Sequence, residues 1–206
     1  NLATGGLRAP LPIEQVLTGL ATCQLAAGDR DEAEANFRKA TALQPLYAPP
    51  WHNLGVIHFE RGQYDTAVHA FETTLSLKPD DTKALAFLAK CLFEQGWPER
   101  ALELAERIRE LDPTDPEPDL LAGGAASRKR DYRAALVAFD AAIALAPRSS
   151  LAHHHRGVTL WQLGEKEEAL AALRRACELS PESFQSHYNL GSMLLEQGSY
   201  ATARPY

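Results

Sequence analysis

The feature that most constrains the fold of this chain is a strict period of 34 residues. Three residue types mark it independently. Prolines follow one another at this step at Pro45, Pro79, Pro113, Pro147 and Pro181. Alanines recur in phase at Ala33, Ala67, Ala101, Ala135, Ala169 and Ala203, and glycines at Gly28, Gly62, Gly96, Gly164 and Gly198. A fixed period of this length indicates one small structural unit that is repeated along the chain.

Each period contains two segments with helical spacing of apolar residues. In the second period these residues fall at positions 51, 54, 56, 57 and 59, and again at 67, 68, 70, 71, 75 and 77. The spacing is typical of two amphipathic helices. A glycine between the segments can adopt the left-handed conformation that ends the first helix, and the proline after them cannot continue the second. One helix pair cannot cover its own apolar face, so the pairs are expected to stack.

The residues at fixed places in the period resemble the tetratricopeptide repeat (TPR) family, whose unit has 34 residues. The second repeat matches best, with Trp51, Leu54, Gly55, Ala67, Phe71 and Pro79 at repeat positions 4, 7, 8, 20, 24 and 32. The resemblance extends from Glu14 to about Ala203. It implies an all-α fold, a right-handed superhelical solenoid of antiparallel helix pairs. The small residues Gly55 and Ala67 are expected to let paired helices approach closely.

The register divides the chain into an N-terminal extension, residues 1–13, and a TPR solenoid, residues 14–206. Repeats are expected to start at Glu14, Ala48, Thr82, Pro116, Ser150 and Phe184. The sixth repeat is incomplete, because Pro205 falls where its second helix should run. We expect either that the natural chain continues beyond Tyr206 or that this end self-associates, since Leu190 and Leu194 would otherwise lack a cover.

The fourth repeat departs most from the pattern. Its closing glycine is replaced by Arg130, and its first helix contains Gly123 and Gly124. Extra glycine in a helix lowers stability, so this repeat is expected to be the weakest. An alternative interpretation is that Gly123 is simply the small residue at position 8.

Composition excludes several classes of protein. The formal net charge is −6 and the basic residues are scattered, so no nucleic-acid partner is expected. No apolar run approaches the roughly 20 residues that a bilayer requires, so no membrane span is expected. Cys23, Cys91 and Cys177 are odd in number and far apart, which fits reduced thiols in a cytoplasmic location better than a disulfide framework.

Motifs of catalysis are absent from the sequence. It contains no GxSxG elbow, no HExxH and no glycine-rich phosphate loop, so we expect no enzyme activity, no catalytic residues and no cofactor. The run His153, His154 and His155 does not indicate a metal site, because neighbouring helical residues point about 100° apart and cannot converge on one ion.

The resemblance implies that the first helices line a concave surface and that repeat positions 2, 5, 6, 9, 12 and 13 face it. Position 12 carries Leu25, Phe59, Phe93, Ser127, Trp161 and Leu195. These large apolar groups either anchor a partner or wedge against the second helices as core. At position 6, Asn53 and Asn189 could bond a peptide backbone, or could cap their own helices. The predicted groove residues are Asn53, Phe59, Phe93, His154, Trp161 and Asn189.

The carboxylate clamp of chaperone-binding TPR domains is present only in part. Asn53 and Lys83 match it, whereas Thr18, Thr22 and Phe87 replace its remaining members. Binding to the acidic tail of a heat-shock chaperone is therefore not expected. The sequence predicts a scaffold that binds a protein, as a peptide or helical segment, in its groove. The alternative is a substrate-recruiting TPR region of a longer enzyme, such as a glycosyltransferase or sulfotransferase.

Overall fold

The computed structural model describes residues 11–198, which form helices and connecting turns without any strand. The helices are α1 (Ile13–Ala27), α2 (Arg30–Leu43), α3 (Ala48–Glu60), α4 (Tyr64–Leu77), α5 (Thr82–Glu94), α6 (Pro98–Leu111), α7 (Glu117–Arg128), α8 (Tyr132–Leu145), α9 (Ser150–Leu163), α10 (Lys166–Leu179) and α11 (Phe184–Glu196). Most of the predicted extension, and the second helix of the sixth repeat with Ala203 and Pro205, lie outside the described residues. Within residues 11–198, no helix is both long and apolar enough to cross a bilayer.

The chain divides into two compact units, the first ending at Trp97 and the second beginning at Pro98. In the N-terminal unit α1 pairs with α2 and α3 with α4, and α3 also contacts α5. In the C-terminal unit α7 pairs with α8 and α9 with α10, and α11 packs on α10. The prediction of an all-α stack of TPR-type helix pairs is confirmed.

Glycines end the first helices as predicted. Gly28 and Gly164, which cap α1 and α9, have φ angles of 92° and 84°, in the left-handed region. Arg130 occupies the equivalent place after α7 and has φ of 60°, the only positive φ of a non-glycine residue among the described residues. Because a Cβ disfavours this conformation, Arg130 stores backbone strain in the fourth repeat.

The small residues at position 8 allow the helices of a pair to approach. A Cβ added at Gly55 would lie 2.7 Å from Cε1 of Phe71 on the partner helix, closer than carbon atoms approach. A Cβ added at Gly123 would come still closer to the ring of Phe139 on its partner helix. This contact accounts for Gly123 in the fourth repeat and confirms the predicted role of Gly55.

A hydrogen bond that the sequence pattern does not reveal joins consecutive repeats. The indole Nε1–H of Trp51, at position 4, donates to the carbonyl oxygen of Pro45 at 2.9 Å. His153 and His187 occupy the same position, and their Nε2 atoms lie 3.0 and 2.9 Å from the carbonyl oxygens of Pro147 and Pro181. Since a carbonyl only accepts, Nε2 carries the proton in both histidines.

We predict that Gly55→Ala destabilises the protein by about 1–3 kcal/mol, because the added methyl group must displace the ring of Phe71 or the helix that carries it. Urea unfolding followed by circular dichroism measures this change. The matched control is Gly19→Ala in α1, where an added Cβ meets no atom within 4 Å. This control should gain up to about 1 kcal/mol from the better helix propensity of alanine. Equal effects of the two substitutions would contradict the packing role of Gly55.

Candidate binding face

The row of residues at position 12 is half-buried at five of its six members, and the sixth, Leu195, is exposed. Phe59 has its ring 5.5 Å from that of Phe87 and 5.8 Å from that of Tyr64. Leu25 packs against the buried cluster that contains Phe37 and Leu54. Phe59 and Leu25 therefore contact the core on one side and remain partly accessible to solvent on the other. Their surroundings fit in part the interpretation as core and in part the interpretation as anchors for a partner.

Trp161 has the same double character in the C-terminal unit. It packs against two buried clusters, one around Leu173 and Leu190 and the other around Leu160 and Ala169. The ammonium nitrogen of Lys166 lies 5.3 Å from the centroid of the indole ring. The ring is thus held in place by packing and by a cation–π contact.

Position 6 contributes to packing in two of the repeats. Phe87 stacks on Phe71 with ring centroids 5.3 Å apart and an interplanar angle of 10°. His155 stacks on Phe139 at the same separation and 16°. Burial, together with the neighbouring His154, lowers the pKa of His155 to about 4. An aromatic ring at this position is therefore part of the contact between repeats.

The structure brings two of the predicted groove residues together. Nε2 of His154 lies 3.4 Å from the amide nitrogen of Asn189, and Nδ1 of His154 lies 3.0 Å from Oγ of Ser186. If the Asn189 amide donates to Nε2, the proton of His154 is on Nδ1 and is donated to Ser186. In that tautomer His154 donates to the Ser186 hydroxyl, so it orients this side chain and does not act as its general base. Burial lowers the pKa of His154, which keeps it neutral near pH 7.

Asn53 makes a local contact. Its amide nitrogen donates to the carbonyl oxygen of Pro49, four residues earlier in α3, at 2.9 Å. This bond within the helix engages one N–H of the Asn53 side-chain amide.

Each unit contains a pocket at the same place in the repeat, beside the first helix. The pocket in the N-terminal unit has a volume of about 250 Å³ and is lined by Ala48, Pro49, His52, Asn53, Thr74, Lys78, Asp81 and Lys83. The pocket in the C-terminal unit has a volume of about 180 Å³ and is lined by Ser150, Leu151, His154, His155, Ser183, Gln185 and Ser186. The predicted residues Asn53 and His154 thus each line a pocket.

Sequence reasoning missed most of the residues that line these pockets. Lys78 lies in the turn after α4, which the groove positions of the family do not include. His52 and Leu151 are at positions 5 and 2, which were expected to face the groove, but nothing in their residue types distinguished them. The residue type at these positions changes from one repeat to the next, and this variation is the signal that could have identified the pockets.

Other chemistry is limited among the described residues. No three side chains of His, Cys, Asp or Glu are grouped closely enough to hold a metal ion in residues 11–198. Cys91 is buried, and burial raises the pKa of its thiol to about 12, so it is protonated at neutral pH and a poor nucleophile.

Sequence profiles described as tetratricopeptide repeat match residues 15–38, 36–69, 58–123, 120–184 and 167–206. The chain belongs to the tetratricopeptide repeat family. This repeat fold supports a general role as a protein-interaction scaffold.

Two curated relatives illustrate the similarity. Protein FlbA of Caulobacter vibrioides is 30% identical over 155 residues, which cover 74% of this chain and 26% of FlbA. Protein O-mannosyl-transferase TMTC1 of Mus musculus is 29% identical over 138 residues, which cover 64% of this chain and 15% of TMTC1. The chain therefore spans about a quarter or less of the length of these two relatives.

Solved structures share the fold at lower identity. The APC/C hetero-tetramer Cut9–Hcn1 superposes with a TM-score of 0.82 and 20% identity over 92% of this chain and 38% of that chain. The human IFIT1 dimer with m7Gppp-AAAA superposes with a TM-score of 0.76 and 17% identity over 97% of this chain and 50% of that chain. At these identities the likeness describes the fold alone.

We predict that His155 makes the stability of the chain depend on pH. Its folded pKa of about 4 lies below the value of 6.5 expected for an exposed histidine. Only the unfolded chain binds a proton in that window, so the free energy of unfolding falls as pH drops from about 6.5 to about 4. At pH 5 the loss from this group is roughly 2 kcal/mol.

His155→Phe should remove most of that loss, because phenylalanine at position 6 can stack on Phe139 as Phe87 stacks on Phe71. Urea unfolding at pH 7.5 and pH 5 measures the difference for each protein. As a control, His69→Phe removes an exposed histidine and should keep the dependence of the parent chain. Parallel pH profiles for the parent chain and His155→Phe would rule out this role of His155.

Proposed function

We propose that the chain is a scaffold that binds an extended peptide or a helical segment of another protein along its first-helix faces. The observation that supports this most is the exposure of large apolar side chains on first helices of the C-terminal unit. Leu151, Tyr188 and Leu195 are 47%, 57% and 50% exposed, beside the half-buried Trp161. Exposed apolar groups of this size are typical anchors of a protein interface.

The packing of the half-buried anchors supports the same function. Phe59 and Trp161 are fixed against the core, so they lose little conformational freedom when a partner binds. Phe93, also half-buried, occupies the same repeat position on α5. Asn53 lies on α3, the helix that also carries Phe59, and Asn189 lies on α11. Their amides can add polar contacts to a peptide backbone.

The partner is accordingly proposed to be a protein or peptide. The absence of a nucleic-acid partner rests on the acidic net charge of −6. The fold is shared with IFIT1, whose structure contains m7Gppp-AAAA, so the fold gives no argument against a nucleic-acid partner. Only the net charge supports the absence of such a partner. A cytoplasmic location and self-association through the sixth repeat belong to the same proposal.

Panning the full chain against a displayed library of random 12-residue peptides tests the function. Selected peptides, labelled and measured by fluorescence polarisation, should bind the double variant Leu151→Ser/Tyr188→Ser at least tenfold more weakly than the parent chain. Both side chains are about half exposed, so their replacement should leave the melting temperature nearly unchanged. The control is Val137→Ser on α8, which is 71% exposed on a second helix and should leave the affinity unaltered.

Two outcomes of the panning would reject the proposal. One is that no peptide is enriched. The other is that the enriched peptides bind the Leu151→Ser/Tyr188→Ser variant as tightly as the parent chain and lose affinity on Val137→Ser.

A second candidate function is the recruitment of substrates for a longer enzyme. It is favoured by the similarity to TMTC1, which is a protein O-mannosyl-transferase and of which this chain matches 15%. The coding sequence on either side of this segment distinguishes the two. A transferase domain in the same reading frame supports recruitment, and its absence from a complete reading frame rejects it.

A further inference from the structure

We propose that the pocket of the N-terminal unit binds a carboxylate group of the partner, with Lys78 and Lys83 as its cationic residues. The pocket lies between the start of α3, the turn between α4 and α5, and the start of α5. The proposal rests on the proposed function and adds to it the charge of the residue that the partner inserts.

The two lysines are not engaged by other groups of the protein. Neither ammonium group has an ion-pair or hydrogen-bond partner within the described part of the chain. Other basic residues do: Arg61 pairs with Asp31 at 2.7 Å and Arg156 with Asp140 at 2.6 Å. Two cations that line one pocket repel each other unless an anion lies between them, so the site favours a negative ligand.

The one carboxylate that lines the pocket has a structural role. Oδ1 of Asp81 accepts the backbone N–H of Ala84 at 3.0 Å and caps the N-terminus of α5. Two lysines against one carboxylate leave an excess of one positive charge at the pocket, although the chain as a whole has a net charge of −6.

The wall of the pocket includes the imidazole of His52. This ring packs edge-on against both Phe71 and Phe87, with centroids 5.7 and 6.0 Å away, while those two rings stack on each other. Burial lowers the pKa of His52, so the imidazole is neutral near pH 7 and the charge comes from the lysines. Its Nδ1 is buried without a hydrogen-bond partner among the described residues, which is unusual for a protein interior.

The pocket of the C-terminal unit shows that the charge is not a general property of this place in the repeat. At the positions of Lys78 and Lys83 it has Ser180 and Gln185, and no lysine or arginine lines it. The charged pocket also differs from the chaperone-binding clamp, in which Lys78 has no counterpart and whose remaining positions are filled by Thr18, Thr22 and Phe87.

Amide chemical shifts of the full chain, recorded at low ionic strength, test the proposal with three blocked tripeptides. Acetyl-Ala-Glu-Ala-amide should shift the amide signals of residues 51–53 and 82–84, with a dissociation constant on the order of millimolar. Acetyl-Ala-Gln-Ala-amide, which lacks the charge, should not. Acetyl-Ala-Ala-Ala with a free C-terminus shows whether a terminal carboxylate replaces a side-chain carboxylate. Inorganic phosphate is titrated in parallel.

The variant Lys78→Met/Lys83→Met should weaken binding of the glutamate peptide at least tenfold. Both lysines are exposed, so the variant is expected to fold, which unchanged amide signals of α1 and α2 in the same unit verify. The control Lys129→Met/Arg148→Met removes the same charge from exposed positions of the C-terminal unit and should bind as the parent chain does.

Three results would overturn the proposal: equal shifts with the glutamate and glutamine peptides, binding that survives in the Lys78→Met/Lys83→Met variant, or phosphate binding at least tenfold tighter than either carboxylate. Groove-dependent peptides from the library would still bind in each of these cases if the scaffold function is correct. Failure of the carboxylate site is therefore distinguishable from failure of the proposed function.

Discussion

The stack of helix pairs depends on one contact, in which a phenylalanine ring of the second helix packs against a glycine of the first helix. Phe71 lies against Gly55 of its own repeat with one face and stacks on Phe87 of the next repeat with the other. Phe139 makes the same pair of contacts with Gly123 and His155. One side chain in each of these repeats thus joins the two helices of a pair and also binds the following pair. Contacts of this kind between adjacent repeats are what couples neighbouring units in a repeat protein.

This coupling reaches the residues that we propose as anchors. Phe87 contacts Phe59, so the orientation of this half-buried side chain is set by the same ring that stacks between the repeats. The consequence is that binding and stability share residues at position 12 and position 6. Substitutions of Phe59 or Trp161 therefore change both properties, whereas substitutions of Leu151 or Tyr188 separate them.

The sequence was sufficient for the fold because the period is marked by residues whose effect is on the backbone. A proline ends a helix and a glycine permits positive φ in any surroundings, so Pro79 and Gly28 could be interpreted without knowledge of their neighbours. Side-chain direction could not be predicted in this way. Asn53 and Phe87 share repeat position 6, yet the short amide bonds its own helix while the ring reaches Phe71. The contact between His154 and Asn189, 35 residues apart, likewise depends on the packing of two repeats.

The two equivalent pockets indicate how a repeat chain can vary what it binds without altering its fold. The cavity is created by backbone and buried groups, such as the ring of His52 against Phe71, which are fixed by the repeat. Its charge comes from Lys78 and Lys83, which are exposed and face solvent. Exposed residues that make no core contact can be exchanged at a cost of a few tenths of a kcal/mol. The exposed repeat positions around each pocket are therefore free to vary, and any specificity of a pocket would lie in a small number of side chains and not in the shared fold.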